Sequence, residues 1–470
     1  MILESGRTMR EIEVRHDGLN RHRLIRGQDQ WVVEQKAAEL RARWNDAWMR
    51  RQDLEHRLNL PFSGGAGGKG APVVLIIGDH GLEVFEQLSC TLRRRGMRVV
   101  LVSPGPEPRK TPAGRLKGWL RARWIYDAHI DASELGADGS LPERLDRVTI
   151  LDVLADENAL AAAGLKHSPL SALAARGLAH RRLPPERLLD KFEVNAILQQ
   201  AGVRVPPQVR ATAVSPAQAA QQLGLPLVVK ARTGSGGAGV RIAASIGEIQ
   251  RATEELSGDD PEGVFYQKHI EGRMVMYGVV AGPDGPVIEH GLGVEATRSP
   301  LGPSAVVRVC DDPELLAAGR SVAQAIGCLG LAELGFIRDA QGELWHVDAN
   351  CRCWGNMTSL LRVGIDYPQA YLALLLDRPS RPRAAPAVTA NGEAAVLPFM
   401  LFQAASQGPA REIAAFAGQL VTFCRKGPGA FYAILAFTKA GKLLGRRGLH
   451  AARRALVSPG WRPPSASVPP

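Results

Sequence analysis

Asp348, Asn350 and Arg352 sit two apart at the end of an apolar run around Val347. In an extended strand such residues share a face, so a carboxylate, an amide oxygen and a guanidinium would be presented together. Hard oxygen ligands of this kind suit Mg²⁺, which usually keeps phosphate and water oxygens in its shell as well. The planar fork of Arg352 suits a transferring phosphoryl group or an acyl phosphate. Read alone, the same pattern also fits a hydrogen-bonded strand exit. Upstream, PLVVK (226–230) runs into Gly234-Ser235-Gly236-Gly237-Ala238-Gly239. Glycines let backbone N–H groups approach phosphate oxygens while the Lys230 ammonium supplies charge. A glycine-rich hairpin with no ligand has the same appearance. The string is not a P-loop, because Gly-Lys-Ser/Thr is missing.

The surrounding pattern supplies the elements that would position these groups. Residues 73–77 read as an apolar strand, followed by a helix over 82–95 and a second strand over 97–102. Strands apolar on both faces and separated by a helix indicate a parallel sheet covered by helices. Residues 148–154 add another strand, with Glu157 and Asn158 just past it. This first α/β portion carries no GxGxxG fingerprint, which argues against a dinucleotide site there. Residues 188–200 read as a helix ending near Gly202. Ser245 and Glu248 have capping-box spacing, and Asp312-Pro313-Glu314 opens a helix that Gly327 would end. Strands over 331–337 and 344–347 follow, joined by a turn at Asp339–Gly342.

In this order and spacing the motifs resemble the ATP-grasp superfamily, most closely the branch of carbamoyl phosphate synthetase large chains and carboxylate-amine ligases. The resemblance runs from about Val73 to Leu376 and is most specific over Gly330–Gly364, with Asp190-Lys191, AGVRVPP, PLVVK and the glycine loop upstream. It implies an α/β fold, α+β in part, with a parallel α/β domain before the ATP-grasp domain. By resemblance, Lys191 and Lys230 contact ATP phosphates, and Gly234, Ser235, Gly236, Gly237 and Gly239 belong to the loop over the triphosphate. Gln267, Lys268, His269 and Ile270 match the hinge whose backbone reads adenine. Asp348 and Asn350 match Mg²⁺ ligands, with Mn²⁺ an alternative, and Arg352 matches the arginine at the reacting phosphoryl group. Arg298 and Arg308, with Glu295, fall near the acceptor side. The activity implied is ATP-dependent joining of a carboxylate to an amine through an acyl phosphate. Phosphotransfer from the same fold, and a nucleotide-binding scaffold without turnover, are the alternatives.

Four positions depart from the family pattern. Gly335 stands where the first metal acid is usual, and Glu333, two residues earlier on the same strand face, is the replacement candidate. Asp348 replaces a glutamate, Cys351 a proline, and Met274 an acid. Cys351 and Cys353 read as buried thiols, and His269 as a hinge packing residue.

The 470 residues suggest about three domains. The expected layout is a 1–61 extension with a long amphipathic helix, a 62–71 linker, a 72–185 α/β domain, ATP-grasp subdomains over 186–270 and 271–385, and a basic helical segment with a disordered end over 386–470. The net charge of +11 concentrates in the tail, where residues 381–470 hold twelve Lys or Arg against two acids. A packed helical cap, an anionic membrane surface, and an acidic protein or carrier all fit that segment, whereas aromatic platforms for nucleic acid are not evident. Self-association is left open. Six scattered cysteines without a CxxC pair, no apolar run of spanning length, and an early charge at Glu4 point to a reduced cytoplasmic setting, with peripheral contact at the inner membrane face as the tail's option.

Overall fold

The computed structural model describes residues 71–79, 83–105, 125–145, 148–164, 168–258, 260–297, 304–377 and 393–395. The expected N-terminal helix, the linker to residue 70, Arg298 and the basic tail beyond residue 395 lie outside the described residues.

In chain order the elements are β1 (Ala71–Ile77), α1 (Glu83–Arg94), β2 (Arg98–Ser103), β3 (Ala128–Asp131), β4 (Val148–Ala155), α2 (Glu157–Ala162), α3 (Pro169–Ala174), α4 (Pro185–Leu188), α5 (Lys191–Gln200), β5 (Gln208–Arg210), α6 (Pro216–Leu223), β6 (Leu227–Ala231), β7 (Val240–Ala243), α7 (Ile246–Ser257), β8 (Val264–Lys268), β9 (Arg273–Gly282), β10 (Gly285–Thr297), β11 (Ser304–Cys310), α8 (Pro313–Ile326), β12 (Gly330–Arg338), β13 (Leu344–Asn350), α9 (Tyr367–Leu375) and β14 (Glu393–Ala395). They form three sheets: β3-β2-β1-β4, parallel; β5-β8-β6-β7, antiparallel; and β13-β12-β9-β10-β11-β14, antiparallel.

Both faces of β1 are covered, which is why it reads as an unbroken apolar run. Val73, Leu75 and Ile77 pack with Leu160, Leu170 and Leu173, while Val74 and Ile76 pack with Phe85 and Leu88. The second of these cores is continuous with Trp354, Met357 and Tyr371 below the large sheet. Tyr371 also donates to buried Asp152 of β4 at 2.5 Å. The parallel sheet is therefore fused to the large sheet through a shared core, and the carboxyl end of β4 is fixed beside the exit of β13.

The small sheet is two-faced. Leu227 and Val229 of β6, with Val264 and Tyr266 of β8, bury against α6 and α7. By alternation Val228, Lys230 and Gln267 point to the opposite face, and the register agrees, pairing Val228 with Gln267. In the large sheet, Ala332, Leu334 and Phe336 of β12 share a core with α5 and α8, so Glu333 and Gly335 face the other way.

Three local expectations are corrected. Residues 188–200 are not one helix: α4 stops at Leu188, and Asp190 caps a new one by accepting from the N–H groups of Phe192 (3.0 Å) and Glu193 (3.2 Å). The Ser245 cap forms, but Glu248 returns its carboxylate to Ala244 N (2.7 Å) rather than to Ser245. The strand expected over 344–347 continues to Asn350. Among the described residues no helix is long and apolar enough to cross a membrane.

Candidate functional site

The cap at Asp190 sets the first lysine. Arg232, just beyond β6, pairs with the Asp190 carboxylate, and its carbonyl accepts from Lys191 N at 2.8 Å. Lys191 is thus pinned to the end of β6 by its backbone while its ammonium crosses to Asp348 of β13 in an ion pair. Lys230, on the site face of β6, is buried and donates to Val347 O at 3.1 Å. Two cations from the small-sheet side therefore meet the last turn of β13.

The charges respond to that crowding. Burial pushes the Lys230 ammonium down to about 8, against the pull of Asp348. Burial would raise the Asp348 carboxyl, but Lys191 outweighs it and holds the group at about 2. For Glu333 burial prevails over the pull of Arg352 and pushes the carboxyl up to about 8. Its Oε1 is buried without a hydrogen-bond partner. His346 is also buried and brought down to about 3 by desolvation, with neither ring nitrogen paired.

The β12–β13 ladder decides which of these groups share a face. Glu333 pairs with Asn350 and Gly335 with Asp348; residues directly opposite in an antiparallel ladder project to the same side. A register shift follows, so that Phe336 pairs with His346 and not with Val347. Glu333, Asp348 and Asn350 hence lie on one face, with the Asn350 amide donating to Asp348 Oδ2 at 3.1 Å. Gly335 leaves room beside them: a Cβ there would meet its nearest neighbours at 3.6 Å, ordinary contact.

Arg352 lies two residues beyond β13. Its Nε donates to both oxygens of Glu157 (2.8 and 2.7 Å), Nη1 to Cys353 O (2.8 Å) and Nη2 to Asn350 Oδ1 (3.3 Å). Burial works against its charge, but the Glu157 carboxylate more than offsets this and holds its pKa above the ordinary value.

The glycine-rich stretch is the β6–β7 hairpin loop. Gly234, Gly236 and Gly237 have φ of +104°, +71° and +76°, conformations that L side chains avoid. Gly239 is needed for a different reason: a Cβ there would come 2.9 Å from the Ala231 Cβ across the hairpin base. Ser235 carries the contact away from the loop, exchanging hydrogen bonds with Asn158.

Of the four residues expected at the hinge, Gln267 and Lys268 end β8 and His269 and Ile270 follow it. Gln267 is buried with its Nε2 unpaired, Lys268 is exposed and gives its N–H to Pro207 O (2.8 Å), and His269 and Ile270 are half-buried. Arg308 pairs with Glu295 between β11 and β10. Cys353 is fully buried and Cys351 half-buried. Among the described residues no three His, Cys, Asp or Glu side chains gather as a metal centre. The oxygen set is instead two acids and one amide, and the orphaned Glu333 Oε1 fits a hard cation.

Glu157 and Asn158 were not singled out as site residues by sequence. The available signal was their place just past the carboxyl end of a parallel strand, where α/β sheets bind ligands.

Residues 190–291 match the family described as carbamoyl-phosphate synthase L chain, ATP binding domain. The chain is 25% identical over 339 residues to the carbamoyl phosphate synthase large chain of Hyperthermus butylicus, a match spanning 64% of this chain and 30% of that protein. It is 25% identical over 183 residues to the chloroplastic biotin carboxylase of Arabidopsis thaliana, spanning 35% of this chain and 33% of that one. The chain thus spans about a third of the length of these curated relatives. In three dimensions it resembles the N5-carboxyaminoimidazole synthetase of Staphylococcus aureus complexed with ADP, with a TM-score of 0.51 and 15% identity over 68% of this chain and 80% of that one. This likeness shows the fold: the chain has the ATP-grasp fold, and residues 190–291 resemble the ATP-binding domain family.

Proposed function

We propose that the chain binds ATP with Mg²⁺ and joins a carboxylate to an amine through an acyl phosphate. The observation that carries this is the meeting of Lys191 and Lys230 with Asp348, Asn350 and Arg352 at the end of β13. Two ammonium groups and a guanidinium around one acidic strand end match a polyphosphate and its transferring group. The match of residues 190–291 to an ATP-binding domain family supports the same reading.

Lys191 and Lys230 would hold the phosphates, with Gly234, Ser235, Gly236, Gly237 and Gly239 closing above them. The backbone at the end of β8 and just past it, over Gln267–Ile270, would read the base. Glu333, Asp348 and Asn350 would hold Mg²⁺, or Mn²⁺, which neutralises phosphate oxygens when bound. A substrate carboxylate oxygen attacks the γ-phosphorus, the bond to the bridging oxygen breaks, and ADP leaves. The amine then attacks the acyl carbon, phosphate departs with its bonding pair, and the nitrogen loses a proton. Arg352 steadies the phosphoryl oxygens during both steps, and exclusion of water beneath the loop spares the acyl phosphate from hydrolysis.

Purified protein given ATP, Mg²⁺ and a panel of acids and amines should release phosphate and form an amide. Lys191→Ala and Asn350→Ala should each slow turnover by about a hundredfold. Nucleotide that raises the melting temperature without turnover under any mixture would replace the ligase with the scaffold reading, which Gly335 favours. Absence of ATP binding at millimolar concentration would end both.

A further inference from the structure

Two consecutive side chains at the start of α2 reach different parts of the site. Glu157 is buried and takes the Arg352 guanidinium on both carboxylate oxygens, 195 residues away in the chain. Asn158 takes the glycine loop, 77 residues away: its Nδ2 donates to Ser235 Oγ (2.8 Å), and its Oδ1 accepts from Ser235 N (3.3 Å). Gly234 packs against the same amide, since a Cβ there would stand 3.4 Å from Asn158 Oδ1.

The base carrying this pair is rigid. Asp156, the residue before it, is buried, gives its N–H to Ile77 O of β1 (2.9 Å), and caps α2 by accepting from Ala159 N (3.0 Å). The loop on the other side has three glycines at positive φ and a side-chain tether at Ser235. Arg352 is the opposite case. With Nε filled by Glu157, and one N–H of each terminal nitrogen given to Cys353 O and Asn350 Oδ1, one N–H per terminal nitrogen is left for a ligand. Its orientation is thereby set before any phosphate arrives.

We propose that Glu157 and Asn158 are positioning residues that act as one latch, Asn158 docking the glycine loop through Ser235 and Glu157 aiming Arg352 at the place the loop covers. Because they are neighbours on one fixed backbone, the closed loop and the aimed arginine are held in register by the domain that precedes the nucleotide lobes. The catalytic half of this inference rests on the ATP-dependent reading above; the docking half does not.

The docking half is tested without nucleotide, by hydrogen exchange of residues 234–239 in the full chain. Asn158→Ala should speed exchange there, Ser235→Ala less because the residue 235 N–H still reaches Asn158 Oδ1, the double variant no more than Asn158→Ala alone, and Ser235→Thr should restore protection. Additive effects, or no change in Asn158→Ala, would overturn the latch. The catalytic half is a split of kinetic parameters. Asn158→Ala should raise the KM for ATP about tenfold with kcat little changed, whereas Glu157→Gln should lower kcat about tenfold with the KM for ATP little changed. Glu157→Asp, which keeps the charge, should recover part of that loss and serves where Glu157→Gln fails to fold. Both variants shifting one parameter alike would overturn the division of roles. Wild-type protein that binds no nucleotide would instead refute the ATP-dependent reading, leaving the exchange result to decide the latch.

Discussion

Glu333 of β12 lies directly opposite Asn350 of β13, and two residues along Gly335 lies directly opposite Asp348. An acid on either β12 position would therefore join the same oxygen face. The chain has it at 333, opposite Asn350, and a glycine at 335, opposite Asp348. Oε1 of Glu333 is buried without a hydrogen-bond partner, which leaves that oxygen for a ligand. If it is a metal ligand, Glu333→Gln should raise the Mn²⁺ concentration needed for half-maximal nucleotide binding by about tenfold. Gly335→Glu placed on top of that change should recover most of the loss, because a Cβ at Gly335 meets its neighbours at ordinary distance. Titration of Mn²⁺ against a fluorescent ATP analogue reads both, and an unchanged midpoint in Glu333→Gln would remove Glu333 from the ligand set.

Lys230 makes a prediction about protons. Burial lowers its ammonium to about 8, so in the free protein it is largely neutral above that pH and largely charged below it. Phosphate oxygens favour the charged form. Binding of ATP at pH 9 should then take up close to one proton, and binding at pH 6.5 almost none from this group. Calorimetry in buffers of different ionisation enthalpy measures the uptake. Lys230→Arg, charged throughout this range, should abolish it, and equal uptake in that variant would place the titrating group elsewhere.

What the sequence made legible was local. Asp348 and Asn350 share a face because residues two apart in a strand must, and Glu333 joins them because it is two before Gly335. The apolar strands of the first sheet and the helix at Asp312 were equally plain, each written in a few neighbouring residues. The break at Asp190 was hidden because the apolar pattern runs on through it. Only the bond from Arg232, just past β6 and distant in sequence, shows what holds Asp190 at the break. The link from Glu157 to Arg352 had no local trace, since a salt bridge between residues 195 apart depends on how two sheets share a core.

Gly319, on the face of α8 that packs against β9, tests that packing. An added Cβ would lie 2.2 Å from Tyr277 Cγ. The ring has little freedom to retreat, because Tyr277 is 1% exposed and its hydroxyl donates to Glu289 at 2.7 Å. In an exposed helix Gly→Ala stabilises by up to about 1 kcal/mol. Here overpacking reverses the sign, and Gly319→Ala should cost about 2 kcal/mol or more. Urea unfolding midpoints decide it, and a variant as stable as wild type would mean that α8 and β9 are less closely packed.

His180 gives the pH dependence of folding a predictable component. It is buried with Nδ1 unpaired, and desolvation brings it from its ordinary 6.5 down to about 4. Below pH 6.5 the unfolded chain binds a proton at this residue that the folded chain refuses. Stability from His180 is therefore complete above 6.5 and is lost as pH falls toward 4, at about 1.4 kcal/mol per pH unit. His346, held at about 3 by the same cause, contributes in the same direction and continues to a lower pH. His180→Gln removes the first contribution only. Its unfolding free energy, from urea titrations at pH 7, 6, 5 and 4.5, should fall less steeply than that of the wild type over this range. Parallel curves would show that His180 accepts its proton in the folded chain as readily as in the unfolded one.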